Sequence, residues 1–387
     1  MRRTSMWHSV VMVASLLVLV GGCAKRPSAP SVVPATRPGG ENDITVGAIL
    51  PLTGDAAQYG QAARRGLELA IEKVNAERLT PAKMAVEFED DQADPKRAVS
   101  AFQKLTAGGD VPAVIGAFSS SATLAIAPLA ERKRIVLLSP VASAPAVTKA
   151  GDFIFRNVAS DVFEGSIMPQ FAYKDLGIRR VAVLYINNDF GVGLRDAFAA
   201  GFRALGGQIV AEEAFAQGAT DFRGQLTKLK ALKPEAVYLV GYKEMARVLR
   251  QSAELAFSPR FLSISMFEDP DILKLAGRAA EGAYYTYQGF DPRSNDKVIK
   301  DFVSSYRARY GSDPDIYAGL AYDAGRILAL AIKEGGRDPA RIRDVLYRIG
   351  DFPGVTGRTT FDRNGDVTKE IHIKYVHQGK FEWYHER

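Results

Sequence analysis

The chain has 387 residues, of which 47% are hydrophobic and 24% are charged, and this is the composition of an ordinary globular protein. That length is too great for one hydrophobic core, so two domains are expected. The formal net charge of +6 comes from scattered pairs and triplets of basic residues, which predicts a mildly basic surface and no nucleic-acid partner. A single cysteine, Cys23, excludes an intrachain disulfide and a cysteine-based metal site.

The first residues have the pattern of a lipoprotein signal peptide. Two arginines form a short basic region, and residues 10–20 are an almost unbroken apolar run. This run is too short to cross a bilayer core, which needs about 20 apolar residues. Val20-Gly21-Gly22-Cys23 resembles the bacterial lipobox, in which the cysteine is diacylated. We expect residues 1–22 to be the signal peptide; a chance cysteine beside an ordinary cleavage site is the alternative.

Residues 23–42 are predicted to be a tether. They contain four prolines with Ser, Gly and Arg and have little to bury, which is typical of a semi-extended segment. Acyl chains on Cys23 would anchor the protein firmly, because each buried methylene adds about 0.8 kcal/mol of membrane affinity. We therefore expect an exported protein that is lipid-anchored to a bacterial membrane, with its folded part held away from the bilayer.

After the tether, short β-branched runs alternate with amphipathic helices. The first series has predicted strands at 44–50, 84–88, 113–117 and 135–138, with helices at 60–76, from Asp94-Pro95 and from about Ser121. The second series begins near residue 160 and has predicted strands at 181–186, 209–213, 236–241, 261–264 and 284–287, again with helices between them. Such alternation predicts an α/β protein with two doubly wound parallel-sheet lobes.

The C-terminal part is predicted to contain three helices and a hairpin. The helices lie at about 294–310, 314–335 and 338–350. Asn364-Gly365 is a strong signal for a type I′ turn, here between strands at 359–361 and 367–373. The acidic residues around this turn resemble the start of a calcium loop, but the positions for the required glycine and the bidentate acid hold Val367 and Ile373. The turn is therefore preferred, and no metal is expected.

Enzymatic motifs are absent from the sequence. It has no HExxH, GxSxG or GxxxxGK[ST] motif, and no GxGxxG behind a strand. His372 and His377 fall on opposite faces of a predicted strand and cannot share a metal. We expect no catalytic residue, no cofactor and no enzymatic activity.

Candidate binding groups gather at the carboxyl ends of two predicted strands. Ser119-Ser120-Ser121 follows the strand at 113–117, and Ser139-Pro140-Val141-Ala142-Ser143 follows the next one. Ligands of open α/β sheets lie outside the carboxyl ends of the strands, and a helix N-terminus offers free N–H groups to a carboxylate. The alternative is structural: Ser120 only caps its helix and Ser143 only shapes a turn.

Short motifs occur in a consistent order over the whole folded region. They are Gly47-Ala-Ile-Leu-Pro-Leu-Thr-Gly54, Gln58-Tyr-Gly60, Asp90-Asp91-Gln-Ala-Asp-Pro95, Val114-Ile-Gly116 with Ser119–Ser121, Ser139-Pro140, Asp189-Phe-Gly191, Val240-Gly-Tyr242 and Ala279-Ala-Glu-Gly282. From Ile44 to about Gly379 the chain thereby resembles the type I periplasmic binding proteins, specifically the branched-chain amino-acid (Leu/Ile/Val) binding family of ABC transporters.

The resemblance implies a Venus-flytrap architecture, in which two lobes joined by a multi-strand hinge close over a small molecule. It places the hinge near residues 158, 288 and 372. The implied lobes are residues 43–158 with 288–370 (lobe 1) and residues 159–287 with 371–387 (lobe 2). The partners that the resemblance implies are a small-molecule ligand, expected to be a hydrophobic amino acid, and an ABC permease in the membrane. A ligand sensor or regulator of the same fold, without transport, is the alternative.

The resemblance also implies ligand-binding residues. In that family, the residues matching Ser120 and Ser143 hold the ligand carboxylate, and the carbonyl at the position of Val141 takes part in holding the α-ammonium. Aromatic residues cover the ligand from both lobes, although Phe190 and Tyr242 have a core role as their alternative. The full implied set is Tyr59, Ser119, Ser120, Val141, Ala142, Ser143, Phe190, Tyr242, Ser265 and Glu268.

The sequence departs from the family pattern at two sites. The family's lobe-1 disulfide is lost, since Ala93 and Ser119 stand where its cysteines would be. The acid that pairs with the α-ammonium is replaced by Ser265, and an unpaired buried ammonium would cost several kcal/mol. Either Glu268 or Asp269 supplies the countercharge, or the ligand is an aromatic or aliphatic carboxylic acid without an amino group.

Overall fold

The computed structural model describes residues 42–384. The signal peptide, the tether before residue 42 and the lipidation of Cys23 lie outside these residues and stay predictions. Between residues 42 and 384, no helix combines the length and the apolar character needed to span a membrane.

The first α/β series forms a five-stranded parallel sheet. Its strands are β1 (Ile44–Leu50), β2 (Met84–Asp90), β3 (Ala113–Ile115), β4 (Val136–Ser139) and β5 (Ile154–Arg156), and its helices are α1 (Ala57–Ala76), α2 (Pro95–Leu105) and α3 (Ser120–Lys133). The strand order is β2-β1-β3-β4-β5, and every pairing is parallel. All seven residues of β1 are buried, as expected for a strand covered by helices on both faces.

The second series supplies helices and strands of the same kind. They are α4 (Asp161–Gln170), β6 (Arg180–Ile186), α5 (Asp189–Ala204), β7 (Gln208–Phe215), α6 (Arg223–Leu232), β8 (Ala236–Val240), α7 (Glu244–Glu254), β9 (Arg260–Ser263), α8 (Pro270–Ala276) and β10 (Tyr284–Gln288). These boundaries lie within a few residues of the predicted ones, because the apolar periodicity and the capping residues act locally.

The C-terminal part returns to the first sheet and then to the second. It contains α9 (Lys297–Tyr310), α10 (Ile316–Gly335), α11 (Pro339–Leu346), β11 (Phe352–Gly354), β12 (Gly357–Thr359), β13 (Ile371–His377) and β14 (Lys380–Trp383). The second sheet has seven strands in the order β14-β13-β10-β9-β8-β6-β7. It is parallel except at one edge, where β13 pairs antiparallel with both β10 and β14. The predicted α/β class with two parallel-sheet bodies is confirmed.

The chain passes between the two sheets three times: after β5, after β10 and between β12 and β13. The predicted hinge positions lie beside these passages: residue 158 follows β5, residue 288 ends β10 and residue 372 is near the start of β13. The lobe boundaries, as limits of two moving bodies, stay a prediction.

The type I′ turn predicted at Asn364-Gly365 is wrong, although the chain does reverse direction between residues 361 and 367. A type I′ turn needs positive φ at both central residues, and of this pair only Gly365 has it (φ 74°). Residues 357–359 pair with β11 instead, and residues 361 and 367 form only an isolated antiparallel bridge.

Tertiary contacts explain this difference. The Arg156 backbone N–H at the end of β5 donates to the Gly365 carbonyl (3.0 Å), so the loop docks on the first sheet. The two-residue turn with positive φ at both positions is Gln378-Gly379, with φ of 50° and 69°, between β13 and β14.

Helices α1 and α10 approach each other closely enough to exclude a side chain at one point. A Cβ atom added at Gly66 of α1 would lie 2.0 Å from the Ala318 carbonyl oxygen of α10. No L residue with a side chain fits this contact unless the helices separate. Glycine is therefore required by packing here, not by backbone conformation.

We predict that Gly66→Ala lowers the free energy of unfolding by about 2 kcal/mol, because it forces packed helices apart. Gly224→Ala is the matched control, since Gly224 lies in α6 with nothing within 4 Å of its added Cβ. That control should leave stability unchanged or raise it by a few tenths to about 1 kcal/mol. Urea denaturation measures both variants; equal effects would show that α1 and α10 tolerate the extra methyl.

Candidate functional site

The serines that follow β3 build the start of the site. The Ser119 hydroxyl caps α3 by accepting the Ala122 N–H (3.3 Å). The Ser120 hydroxyl instead accepts the N–H of Ala144 (3.1 Å), so it joins the start of α3 to the loop after β4. The structural alternative for Ser120, capping of its own helix, is wrong: Ser119 caps the helix.

The loop after β4 is held by hydroxyl groups. Ser139 Oγ donates to the Ala117 carbonyl (2.7 Å) and accepts the Ala142 N–H (2.9 Å). Ser143 is buried, with 5% of its surface exposed. The loop therefore presents Val141 and Ser143 in one defined conformation.

A buried arginine supports this loop from behind. Arg156 Nη1 donates to the carbonyls of Ser143 (2.9 Å) and Ala144 (3.0 Å), and Nη2 donates to Thr148 (2.6 Å). Its Nε forms an ion pair with Asp366 (2.7 Å). The side chain is completely buried, so its charge requires these partners. Arg156 thereby connects the loop after β4 with the chain segment between β12 and β13.

Aromatic rings from both sheets meet at the carboxyl ends of the strands. Phe190 at the start of α5 and Tyr242 after β8 stack in parallel, with ring centroids 5.7 Å apart. Tyr59 of α1 lies 6.3 Å from the Tyr242 ring and 5.1 Å from that of Tyr317. The structure therefore brings together the three predicted aromatic residues. Tyr317, at the start of α10, was missed because no local pattern distinguishes it from a core aromatic.

Two polar contacts also join the sheets. Gln58 Nε2 of α1 donates to Asp269 Oδ1 before α8 (2.6 Å). The Asp189 backbone N–H, at the start of α5, donates to Ser121 Oγ of α3 (3.1 Å). The two sets of strand ends therefore face each other directly.

An enclosed cavity of about 20 Å³ lies between these strand ends. Its lining is largely apolar with a few polar groups: Val141, Ser143, Val158, Glu164, Phe190, Ile264, Ser265, Met266, Gln288, Ile316, Tyr317 and Leu320. The volume suffices for about one water molecule and not for an amino acid. A ligand can enter only if the walls move apart.

The predicted site residues divide into three groups. Val141, Ser143, Phe190 and Ser265 line the cavity. A second group surrounds it through the contacts described above: Tyr59, Ser119, Ser120, Ala142 and Tyr242. Glu268 alone is directed elsewhere.

Glu268 is engaged by other residues. Its carboxylate forms an ion pair with Lys374 Nζ (2.5 Å) and accepts the Tyr285 hydroxyl (2.7 Å). Lys374 also lies 4.4 Å from the centre of the Tyr287 ring. The charge of Glu268 is therefore balanced on the β10–β13 side of the second sheet. Asp269, the other predicted acid, caps α8 and accepts from Gln58.

Glu164 of α4 is an acid that the sequence analysis missed. Its carboxylate lines the cavity, with 5% of the residue exposed, and accepts the Thr286 hydroxyl. Burial raises its pKa, and hydrogen bonding to Thr286 and to the Ser265 backbone opposes the rise. The sequence signal for Glu164 was an acid within the largely apolar segment that forms α4. The same pattern is expected when the acid lies on a solvent-exposed face of a helix, so the signal did not identify a site residue.

Two further polar side chains, those of Gln288 and Asp161, lie close to Glu164. Gln288 Oε1 is buried and has no hydrogen-bond partner between residues 42 and 384. Asp161, one turn before Glu164, is fully buried, and burial with the Glu164 charge raises its pKa well above the usual range. The Ser143 hydroxyl and Arg156 favour its ionised form. Gln288 Oε1 is therefore the unsatisfied acceptor in the lining beside Glu164, whereas Asp161 does not line the cavity and contacts Ser143, whose carbonyl accepts the Asp161 N–H (2.9 Å).

Asp91, after β2, is another buried acid at the strand ends. Oδ1 accepts the Ala93 N–H (3.0 Å), and Oδ2 has no partner in the part of the chain that the structure describes. Burial, helped by the charges of Asp90 and Asp94, raises the pKa of Asp91 to about 7. Residues 42–384 contain no group of three or more His, Cys, Asp or Glu side chains placed to hold a metal ion.

Comparisons with known proteins agree with this architecture. Residues 43–378 match the family model described as periplasmic binding protein. A Leu/Ile/Val-binding protein homolog of Brucella abortus is 30% identical over 337 residues, which cover 86% of this chain and 90% of that protein.

Solved structures extend the similarity to three dimensions. A leucine binding protein from Thermotoga maritima is 31% identical, with a TM-score of 0.83, covering 88% of this chain and 98% of that one. A branched-chain amino acid transporter substrate binding protein from Streptococcus pneumoniae, solved in complex with isoleucine, is 29% identical with a TM-score of 0.81 and the same coverage. The resemblance found from the sequence motifs is confirmed.

We predict that Asp91→Asn changes the pH dependence of stability. A raised pKa means that the folded state binds more protons than the unfolded state between pH 4 and 7, so this group costs increasing stability as the pH rises. Relative to Asp91→Asn, the wild type should lose about 2 kcal/mol between pH 5 and 7, at about 1.4 kcal/mol per pH unit where the slope is full.

Thermal or urea unfolding at pH 5, 6, 7 and 8 measures this difference. Asp338→Asn is the matched control, because it removes an exposed N-cap carboxylate and leaves a residue that caps equally well. Parallel stability curves for wild type and Asp91→Asn would contradict the prediction.

Proposed function

Because this chain belongs to the periplasmic binding protein family, we propose that it is the substrate-binding protein of an ABC transporter and binds a small carboxylate ligand, a hydrophobic amino acid, by closure of two lobes. The observation that carries this proposal is the cavity between the carboxyl ends of two parallel sheets, with Ser143 on one wall and Phe190 on the other. Open α/β sheets bind ligands at this edge.

The polar side of the cavity suits a carboxylate. Ser120 and Ser143 lie at the start of α3 and in the loop fixed by Arg156, where hydroxyls and a helix N-terminus offer donors to a negative group. Charge-assisted hydrogen bonds of this kind are stronger than neutral ones. In this proposal both serines bind the ligand carboxylate when the lobes close.

The apolar side suits a hydrophobic side chain. Val158, Ile264, Met266 and Leu320 contribute to the lining, and stacked Phe190 and Tyr242 cover it from the second sheet. A mostly apolar pocket with a few oriented polar groups is typical of small-molecule sites. Ligand contacts with both lobes would favour the closed state by the difference in affinity between the two states.

The transport role includes export and a membrane anchor. Lipid on Cys23 would keep the binding protein beside its permease, and the proline-containing tether would give it reach. A measurement of transport distinguishes this role from that of a sensor of the same fold without a permease. Deletion of the gene should abolish uptake of the bound ligand if the proposal holds, and should leave uptake unchanged if the protein is a sensor.

A carboxylic acid without an amino group is the second candidate ligand. The observation that favours it is the position of Glu268, whose charge Lys374 already balances outside the cavity. Comparing amino acids with their deaminated analogues decides between the two ligand classes.

We predict that leucine, isoleucine, valine or a small carboxylic acid stabilises the protein against heat. A ligand present at a hundredfold excess over its dissociation constant adds about 2.7 kcal/mol to the free energy of unfolding. Differential scanning fluorimetry over amino acids and small acids identifies it. Stabilisation only by ligands that lack a carboxylate would reject the assigned site.

We predict that Ser120→Ala/Ser143→Ala weakens binding of that ligand about 100-fold or more, because each hydrogen bond to a charged group contributes about 1.5–3 kcal/mol. The matched control is Ser100→Ala/Ser304→Ala, which removes two hydroxyls from exposed helix positions. Calorimetric titration should show unchanged affinity for this control. Equal affinity of both double variants would contradict the serine assignment.

We predict that Cys23→Ser abolishes acylation and releases the folded protein from the membrane, because Cys23 is the only thiol available for the lipid. Labelling of cells with radioactive palmitate, followed by membrane fractionation, measures this outcome. Labelled, membrane-bound Cys23→Ser protein would exclude the predicted lipobox.

A further inference from the structure

The family resemblance leaves Ser265 at the position of the acid that pairs with the ligand α-ammonium. The structure places another carboxylate near this position, because Glu164 and Ser265 line the same small cavity. Glu164 reaches this point from α4, about a hundred residues earlier in the chain. The negative charge that Ser265 lacks is thus present beside it.

We propose that Glu164, assisted by Gln288 Oε1, binds the ammonium group of the ligand, so that the ligand is a zwitterionic amino acid rather than a simple carboxylic acid. This inference rests on the proposed function and names the ligand class more narrowly.

The arrangement of the cavity supports two oppositely charged ends. Ser143 and Glu164 line the same small cavity, with Ser265 and Gln288 beside Glu164. A ligand that places its carboxylate at Ser143 therefore has an acidic group within the same enclosure. An α-amino acid carries its two charged groups on one carbon, so it could reach both Ser143 and Glu164 once the walls have moved apart to admit it.

The unsatisfied hydrogen-bond acceptors in the cavity lining also favour a cationic group on the ligand. An ammonium has three N–H donors and no acceptor. Gln288 Oε1 is buried without a partner in residues 42–384, and the Glu164 carboxylate has acceptor capacity beyond its contacts with Thr286 and Ser265. No Lys or Arg contributes to the cavity lining. A buried ammonium would satisfy these acceptors and would itself be paired, as a buried charge requires.

Glu268 cannot fill this role without breaking other contacts. Its carboxylate is bound by Lys374 and Tyr285, and it does not line the cavity. Withdrawing it would leave the Lys374 ammonium, on a side chain that is 7% exposed, without its partner. Glu164 and Glu268 therefore make a natural pair of test positions: two glutamates close to the site, with only one directed into it.

The experiment compares Glu164→Gln with Glu268→Gln by calorimetric titration of leucine and of 4-methylpentanoate, which is leucine without its amino group. Isoleucine and valine with their deaminated analogues are titrated in the same way. Glu164→Gln should weaken binding of the amino acid at least about tenfold and change binding of the analogue by less than about threefold. Glu268→Gln should change the affinities for both ligands by the same small factor.

A charge transplant gives an independent test. Glu164→Gln/Ser265→Glu restores a carboxylate at the position where the family carries it, and should recover at least part of the affinity for the amino acid. Thermal unfolding of each variant verifies folding. If Glu164→Gln does not fold, titration of the wild type alone tests the inference. The inference is overturned if the wild type binds the deaminated analogue as tightly as the amino acid, or more tightly.

The failure of this inference is distinguishable from failure of the proposed function. If the wild type binds leucine and Glu164→Gln binds it equally well, the assignment of Glu164 is wrong and the proposed function stands. If the wild type binds the deaminated acid in preference to the amino acid, the ligand class inferred here is wrong, and carboxylate binding stands. If no amino acid and no carboxylic acid binds, both proposals fail.

Discussion

A completely buried guanidinium holds the candidate site together. Arg156 lies at the end of β5, where its charge is matched by the carbonyls of the loop after β4, by Thr148 and by Asp366. A buried cation that loses such partners is costly, so the loop and the segment between β12 and β13 are constrained together. The loop that presents Ser143 is thereby fixed relative to a segment that passes between the sheets.

The buried arginine also bears on which charged side chains line the cavity. Arg156 lies behind the loop and is used by its own partners, so the side chains that line the cavity include an acid, Glu164, and no cation. Helix N-termini and hydroxyls serve the negative end of a ligand without adding a net charge. Lys374, on β13 of the second sheet, does not line the cavity and forms an ion pair with Glu268. A zwitterionic ligand, as proposed above, would match the hydroxyl of Ser143 and the carboxylate of Glu164 in the same cavity.

Local features of this fold follow from the sequence, whereas features that depend on tertiary contacts do not. Strands such as Ile44–Leu50 and the Asp94 N-cap were located closely, because apolar runs and capping residues act over a few positions. The type I′ turn was assigned to Asn364-Gly365, and the structure forms such a turn at Gln378-Gly379, because docking against β5 outweighed the local preference of the first pair. The position of Glu164 in the site could not be predicted for the same reason. It depends on the proximity of Ser265 and Thr286, which lie about a hundred residues later in the chain.

By itself, the sequence determined the α/β class, the succession of strands and helices, the serines at the strand ends and the family, because these depend on periodicity and on motifs of a few residues. Only the tertiary structure decided which acid enters the cavity, which one pairs with Lys374, and which rings meet across the two sheets. The physical reason is that the electrostatic role of a carboxylate is set by burial and by neighbours that folding brings from distant parts of the chain.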